Sequence, residues 1–527
     1  MCAVNGVTWE DLDVVKEMCK ANISRGPDLT RFHVNSNLSL GHNLLAINCQ
    51  DLSVAAQPRK SEAGSLLAYN GQLYDVDAEE ELDTEFLHRN LDKHGTKFLR
   101  HINGAFAFAW LQGDVLHLVR DHFGCRPMFY ATCEKGLIFS STITGILATK
   151  EIDPEFSEEN IEEFQRGNYW QNGPMTVYKN IHKIAPGQIM RYDIREKKIL
   201  GFGSLWENYR IRKRKFNHFE YRTEVIQAIM RTSRSPQKVC LLQSGGLDSN
   251  LIASVLGVSH AENFFTATLA YTHNPKIDDN PAQSLMNEVA YARICAQEHN
   301  LDHRVYVLPG SQDLVDNYSR KAIEIAGSIF EDSYRMIPRL YLLEQVAQQE
   351  AKVILTGDGG DEVFSGYNKH ALWMEGIDTP TRESVAWYIE RHRLKEWFPL
   401  HVIEGTDPIT AQMFIDLLTS AETYFLRADA FAGAYGMEAR SPFVYQRLAK
   451  YVLELPVEQK FKYPNETFRG INKFLIREAF RDIIPEKIAN RTQKIGWSLP
   501  YWRKDMKKQR NRLKIDQKLL EDIIGNG

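Results

Sequence analysis

The 527-residue chain is short of the features that would mark a membrane protein, a secreted scaffold or a thiolate metal site. It has no run of 18 apolar residues, and its opening MCAVNGVTWEDLDVVKEMCK lacks a cationic start followed by an apolar core. Neither a spanning helix nor a secretory leader is expected, and the location expected is cytoplasmic. The seven cysteines, at 2, 19, 49, 125, 133, 240 and 295, are odd in number, scattered and never spaced C-x-x-C. That argues against a disulfide framework and against a zinc site built on thiolates. An excess of one charge is missing too: the net charge of -4 gives no reason to expect a polyanionic partner. There is no internal repeat, no low-complexity tract and no Walker lysine motif.

Apolar residues make up 43% of the chain and charged residues 25%, ordinary for a globular protein, and the length calls for more than one core. Two grammars divide the sequence. From about 37 to 145 short β-type runs dominate: LGHNLLAIN, GSLLAYNGQLYDV, then GAFAFAWL and VLHLVRD either side of a turn at Gln112-Gly113-Asp114. After residue 220, helical periodicities alternate with short apolar runs, KVCLLQ at 238–243 and AKVILTG at 351–357, as in buried parallel strands covered by helices. Between them Tyr209-Arg-Ile-Arg-Lys-Arg-Lys215 reads as a solvated linker face, and a second basic segment runs from Trp502 to Lys514.

The six residues Ser244-Gly-Gly-Leu-Asp-Ser249 follow an apolar strand and precede a helix start at LIASVL. Paired glycines let a backbone approach an anion, and the helix behind them directs free N–H groups and its positive end at a phosphate. Ser244 and Ser249 add hydroxyl donors, and Asp248 can hold a magnesium ion. Without a Walker lysine, cleavage between the α- and β-phosphates is expected, and the loop resembles that of the PP-loop ATP pyrophosphatases. A second glycine loop, Thr356-Gly-Asp-Gly-Gly-Asp-Glu-Val-Phe-Ser-Gly-Tyr367, also follows an apolar strand. There Asp361 and Glu362 can bind magnesium and Asp358 can assist proton removal from an attacking amine.

Taken with further motifs, these loops resemble the glutamine-dependent asparagine synthetase family over nearly the whole chain. The motifs are Met1-Cys2, Gly41-His42, Asn70-Gly71-Gln72-Leu73-Tyr74, Asp83-Thr84-Glu85, the run from Asn103 to Phe108, and Arg120-Asp121 to Gly124 with Pro127. Further on come Asn287-Glu288, Tyr291-Ala-Arg293, Glu438-Ala-Arg440-Ser-Pro-Phe443 and Arg491-Thr-Gln-Lys494-Ile-Gly-Trp497. The resemblance implies an α/β multidomain protein: an Ntn-type αββα glutaminase over 1–200, a basic linker over 201–218, and a PP-loop parallel α/β synthetase domain over 219–527. Cys2, made terminal by loss of Met1, would combine nucleophile and α-amine base in one residue. Asn70 and the Gly71 N–H would form the oxyanion hole, and Gln72 and Asp83 would complete the glutamine site. ATP would meet Gln243, Ser244, Gly245, Gly246, Leu247, Asp248, Ser249, Leu269, Thr356 and Gly357. Magnesium would lie on Asp248 and Asp361, with Lys494 near the adenylate.

The implied reaction is ATP-dependent amidation of a carboxylate, by default aspartate, with ammonia from glutamine. Its cofactors are ATP and Mg2+, and its partners small molecules, with no membrane or nucleic acid; a homodimer is the assembly considered. Several positions depart from the family pattern. Leu44 stands where a basic residue binds glutamine's α-carboxylate, a loss on the order of 1.5–3 kcal/mol unless a group such as Arg59 substitutes. Gln72 replaces a glutamate, Asp358 replaces a glutamate with a shorter arm, and Pro442-Phe-Val-Tyr445 lacks the acid of PFLD. Amide closure like that of β-lactam synthetases, and amidation of another carboxylate, stand as alternatives. A nucleic-acid thiolase is disfavoured by the absence of paired cysteines.

Overall fold

The computed structural model describes residues 1–49, 51–77, 81–165, 173–261, 263–271, 286–309, 311–329, 333–374, 376–460, 472–491 and 517–524. Its amino-terminal part is a sandwich of two six-stranded antiparallel sheets. The strands are β1 (Ala3–Val7), β2 (Leu29–Asn35), β3 (Leu38–Leu44), β4 (Arg59–Lys60), β5 (Leu66–Leu73) and β6 (Gly104–Gln112). They continue as β7 (Val115–Arg120), β8 (Phe129–Cys133), β9 (Gly136–Ser140), β10 (His182–Lys183), β11 (Gln188–Asp193) and β12 (Lys198–Ser204). One sheet runs β10-β8-β9-β1-β3-β2 and the other β12-β11-β7-β6-β5-β4.

Apolar residues on the inner faces, Val4, Leu38, Leu40, Ala68, Ala107, Leu116 and Leu118 among them, meet in one buried cluster. Helix Leu12–Ala21 covers β1 and β3 on the outside of the first sheet, and helix Asp83–His94 covers β5 on the second. This is the αββα order expected from the sequence. Strands covered on both faces have little need of polar residues, which is why GAFAFAWLQ reads as an almost continuous apolar run. The hairpin between β6 and β7 turns at Gly113, where φ is +60°, and Asp114. β12 crosses the expected 200/201 boundary, because Lys198–Ser204 pairs along β11. Trp206 then closes the sandwich, its indole N–H donating to the His122 carbonyl at 3.1 Å.

Residues 210–217 lie outside helix and strand, with Arg210, Arg212, Lys213 and Lys215 exposed and Arg214 tied to Glu454 at 3.1 Å. Helix His218–Ser233 opens the second part, capped by the Asn217 side chain, which accepts from the backbone of Phe219 and Glu220. Its sheet is parallel, ordered β15-β14-β13-β16-β17, from β13 (Val239–Leu242), β14 (Phe264–Tyr271), β15 (His303–Leu308), β16 (Val353–Leu355) and β17 (Glu438–Arg440). The chain builds outward from β13 to β15 and then returns to lay β16 on the other side of β13. The topological switch point of an α/β sheet, where ligands collect, therefore lies between β13 and β16. The two strands either side of it are those that feed the two glycine loops.

A buried ionic seam joins the two parts. On helix Ser420–Ala434, Glu422 receives Arg120 and the Lys183 ammonium, the latter at 2.8 Å, and Asp429 receives Arg25 at 2.7 Å. On β17, Glu438 binds Arg440 at 2.7 Å and lies 3.6 Å from Arg126. Burial opposes ionisation of Glu438, but Arg440 and Arg126 overcome it and hold its carboxyl below the ordinary value. Among the described residues no helix is long and apolar enough to cross a membrane.

Candidate functional site

At the amino-terminal site, Cys2 enters β1, whose register sets Ala3 opposite Asn43 on β3. The half-buried thiol lies against the next turn of chain: the Leu45 N–H points at Sγ from 3.4 Å and the Leu45 carbonyl lies 3.9 Å away. Burial pushes the Cys2 thiol above its ordinary value, against the neighbouring terminal amine, which lowers it. Met1 precedes it, fully buried, its ammonium donating to the Met437 carbonyl at 3.1 Å and its side chain packed among Cys240, Leu242 and Ala439. Burial lowers that amine to about 5. In this form the Cys2 nitrogen is an amide, so the base expected of it requires loss of Met1.

β5 packs across the sandwich from β1 and carries Asn70 and Gly71. Asn70 is fully buried, yet neither its amide nitrogen nor its oxygen has a hydrogen-bond partner. An unpaired amide inside a core costs stability and leaves both a donor and an acceptor free to meet a ligand. Gly71 has no room for a side chain: a Cβ there would meet the Ala105 carbonyl oxygen at 2.4 Å and the Phe106 Cα at 2.7 Å. His42 bridges the sheets, with Nε2 2.9 Å from the Tyr69 carbonyl, and burial lowers its pKa to about 4, so it acts as a neutral clamp.

Asp83 begins the helix Asp83–His94 and accepts from the Leu73 N–H at 3.1 Å and the Tyr69 hydroxyl at 2.9 Å. Burial nonetheless raises its carboxyl to about 6, since the two donors and the Thr84 N–H only partly stabilise the charge. Gln72 instead turns to the domain seam, accepting from Asn48 at 2.6 Å and lying 3.5 Å from the Arg440 guanidinium. Leu44 is buried at the end of β3. Arg59, weighed as its substitute, is bound to Glu85 and the Val54 carbonyl, both at 2.7 Å.

In the second part, the Ser244–Ser249 loop leaves β13 and runs into helix Leu247–Val258, the strand-to-helix junction expected from the sequence. The loop is internally laced: Ser249 Oγ accepts from the Ser244 N–H at 3.1 Å and Ser244 Oγ from the Gly246 N–H at 3.1 Å. The Asn250 amide donates to the carbonyls of Ser244 and Gly246. Gln243 is anchored beneath by Asn250 at 2.8 Å. The second loop lies directly alongside, since a Cβ on Gly357 would meet Asp248 Cβ at 3.0 Å and one on Gly360 would meet Asp248 Oδ1 at 2.7 Å. Thr356 Oγ1 is 3.0 Å from Ser441 Oγ, and Leu269 is buried on β14.

Asp248 and Asp361, from different loops, converge on one cation, the Lys473 ammonium, which lies 2.5 Å from Asp361 and forms a still closer ion pair with Asp248. Although burial works against it, those two carboxylates raise the lysine's pKa. Among the described residues no set of three or more histidine, cysteine or acidic side chains converges as a metal site. Arg491 donates to the Gly245 carbonyl at 2.7 Å and ion-pairs with Glu288, steadying the loop from below. Asp358 is clasped by Arg339. Glu362 is buried, accepts from the Tyr367 hydroxyl, and is raised to about 8 by burial and by Asp361. Lys494, the Trp502–Lys514 segment and the Asn287 side chain lie outside the described residues.

Sequence reasoning missed Lys473 and Arg339, which stand 225 and 19 residues from the acids they hold. It did flag Arg491 and Glu288, but not as partners of each other. Tyr445, in place of the missing acid, does not turn to the synthetase loops. Its hydroxyl donates to Asp75 of the amino-terminal part at 2.5 Å, and its ring stacks on Tyr74.

Comparison with known proteins assigns a family to each part of the chain. Residues 1–202 match the glutamine amidotransferase domain, and residues 220–522 match the asparagine synthase family. The chain is 26% identical to an asparagine synthetase (glutamine-hydrolysing) of Rattus norvegicus, over 93% of this chain and 82% of the relative. It is 24% identical to asparagine synthetase (glutamine-hydrolysing) 3 of Bacillus subtilis, over 93% and 86%. Among solved structures, a glutamine phosphoribosylpyrophosphate amidotransferase from B. subtilis aligns at TM-score 0.29 and 11% identity, over 68% of this chain and 82% of that one. An amino-terminal amidotransferase sandwich, a parallel sheet with glycine loops on both sides of its switch point, and a family model that spans more than half the chain establish that this protein belongs to the asparagine synthase family.

Proposed function

We propose that the chain is an ATP-dependent amidotransferase that converts a carboxylate, aspartate as the default acceptor, to its amide with ammonia released from glutamine. The carrying observation is the pair of glycine loops at the β13/β16 switch point, with Asp248 and Asp361 gathered around one positive charge. Such a cradle suits a nucleotide's pyrophosphate: helix Leu247–Val258 offers its amino end, the serine hydroxyls donate, and Lys473 neutralises charge as the phosphates leave. An acceptor oxygen attacks the α-phosphorus and pyrophosphate departs. Ammonia then attacks the acyl carbon, Asp358 takes the proton the nitrogen sheds, and AMP leaves with the bonding electrons. Lys494 is assigned to the adenylate on the family pattern alone.

Magnesium fits the donor set, because two carboxylates from separate loops already share a cation, and this ion commonly uses one or two carboxylates with phosphate oxygens completing its shell. Asp248 and Asp361 would hold it, and bound there it would offset charge on the departing pyrophosphate. In the amino-terminal domain, Cys2 freed of Met1 attacks the glutamine amide, its own amine takes the thiol proton, and Asn70 with the Gly71 N–H receives the oxyanion; the amine passes that proton to the nitrogen as the carbon–nitrogen bond breaks and ammonia leaves, and water then hydrolyses the thioester to glutamate and restores the thiol. Asp83 holds the substrate's α-ammonium. An apolar cleft lined by Arg25, Pro127, Ile143, Ile325, Leu426 and Ala430 lies where the two parts of the chain meet. Arg25 links it to the first site, its Nε donating to the Cys2 carbonyl at 3.2 Å.

Incubation with ATP, magnesium, glutamine and aspartate, followed by mass spectrometry, tests the proposal: asparagine, glutamate and AMP are expected. ADP as the nucleotide product, or glutamine consumption with no amide formed from any carboxylate supplied, refutes it.

A further inference from the structure

Asp358 enters the amination step one carbon short of the glutamate expected there, and the structure gives it a fixed partner. Arg339 stands on helix Ser333–Ala347, one residue beyond Pro338, and meets Asp358 fork to fork: one terminal nitrogen donates to Oδ2 at 3.0 Å and the other to Oδ1 at 2.8 Å. Both are largely enclosed, Arg339 with 18% and Asp358 with 12% of its side chain exposed. Two parallel N–H···O bonds fix the plane of a carboxylate as well as its place, which a lysine or a single donor cannot do. The inner lone pair of each oxygen is consumed by the fork, and the outer ones remain for a group arriving at the mouth of the Thr356–Tyr367 loop.

The helix does not need this pair to stay docked. Its buried face is Met336, Ile337, Leu340 and Leu343, packed into the core beneath β14. Arg339 instead stands on the side where helix Ser420–Ala434 presents Tyr424. The fork is thus a bridge between two well-anchored elements, the helix before β16 and the loop after it.

We infer that Arg339 is a positioning residue for amination: by clasping Asp358 it aims the carboxylate's outer lone pairs at the nitrogen attacking the acyl adenylate, and so makes up for the shorter arm. In that step the nitrogen gives a proton to an outer oxygen of Asp358, the new carbon–nitrogen bond forms, and AMP departs with the electrons of the broken carbon–oxygen bond. The inference rests on the proposed role of Asp358.

The test uses the full chain with free ammonia as nitrogen donor, ATP, magnesium and aspartate, and reads two rates: exchange of labelled pyrophosphate into ATP, which reports adenylation, and asparagine formation. Arg339→Met keeps the length and the packing of the stem. It is expected to leave exchange and the KM for ATP as in the wild type while amide kcat falls on the order of 10²-fold, the scale of a misplaced catalytic group. Arg339→Lys, which keeps the charge but not the fork, should recover little. Asp358→Glu placed on Arg339→Met should recover part of the loss, because a longer arm reaches the nitrogen unaided. Amide formation at the wild-type rate in Arg339→Met, or a parallel loss of exchange and amide in both Arg339 variants, overturns the inference. A wild-type enzyme that shows no exchange overturns the adenylation reading itself, and this inference with it; that control tells the two failures apart.

Discussion

Lowering the pH below 6 should selectively weaken glutamine binding, for a reason that can be worked through at Asp83. Two neutral donors, the Tyr69 hydroxyl at 2.9 Å and the Leu73 N–H at 3.1 Å, favour its ionised form, but burial outweighs them and places the carboxyl at about 6. Because the folded value lies above the ordinary one, the ionised carboxylate costs the free enzyme stability above pH 6, a cost the substrate's α-ammonium offsets on binding. Below pH 6 the proton competes with that ammonium. One unit down, at pH 5, only about a tenth of the sites remain ionised, so the KM for glutamine should rise about tenfold between pH 7.5 and pH 5. Glutamate release by the processed enzyme measures it, with ammonia-dependent amide synthesis run in parallel to show that the break belongs to the amino-terminal site. Asp83→Asn should raise KM by about ten- to a hundredfold at pH 7.5, as for a lost hydrogen bond to a charged group, and flatten its dependence on pH. A KM that stays level down to pH 5 in the wild type, or an Asp83→Asn enzyme that binds glutamine normally, refutes the reasoning.

Three further outcomes follow from the same geometry. Cys2→Ala should abolish glutamate release and glutamine-dependent amide formation while ammonia-dependent synthesis continues, measured by following both products; loss of the ammonia reaction as well would place Cys2 outside the assigned role. Gly245→Ala should eliminate ATP binding in a calorimetric titration, because its Cβ would meet the Glu288 carbonyl oxygen and Cα at 2.8 Å and Glu288 Oε2 at 2.6 Å; a normal titration would mean the loop is not the cradle. Glu422→Gln should cost about 3–5 kcal/mol, since it strands the fully buried Arg120 and Lys183 charges at the domain seam, and should appear as a lower unfolding midpoint in denaturant; an unchanged midpoint would deny the seam its role.

What the sequence made legible is what depends on local spacing. The β6–β7 hairpin, the Ser244–Ser249 junction and the apolar runs of β13 and β16 each announce themselves within a dozen residues through period, glycine placement and turn chemistry. What it hid depends on chain closure over long distances. Nothing near Lys473 tells of Asp248, which it meets across 225 residues of chain, and Arg339 sits in an ordinary helical pattern until the fold lays it beside Asp358. Tyr445 shows the difference most plainly. As a lost acid it argued only for an altered acceptor pocket, whereas in the fold its hydroxyl crosses the seam to Asp75, 370 residues away. The buried seam of Arg25, Arg120, Arg126 and Lys183 was likewise invisible, because a charge's burial depends on a partner that spacing does not reveal.

The account turns on an acceptor oxygen attacking the α-phosphorus of a nucleotide held at the Ser244–Ser249 loop. Aspartate labelled with 18O in its side-chain carboxylate, supplied with ATP, magnesium and ammonia, tests this directly by mass spectrometry of the nucleotide product. The account predicts AMP carrying one 18O atom and unlabelled pyrophosphate; unlabelled AMP, or label found in inorganic phosphate beside ADP, contradicts it.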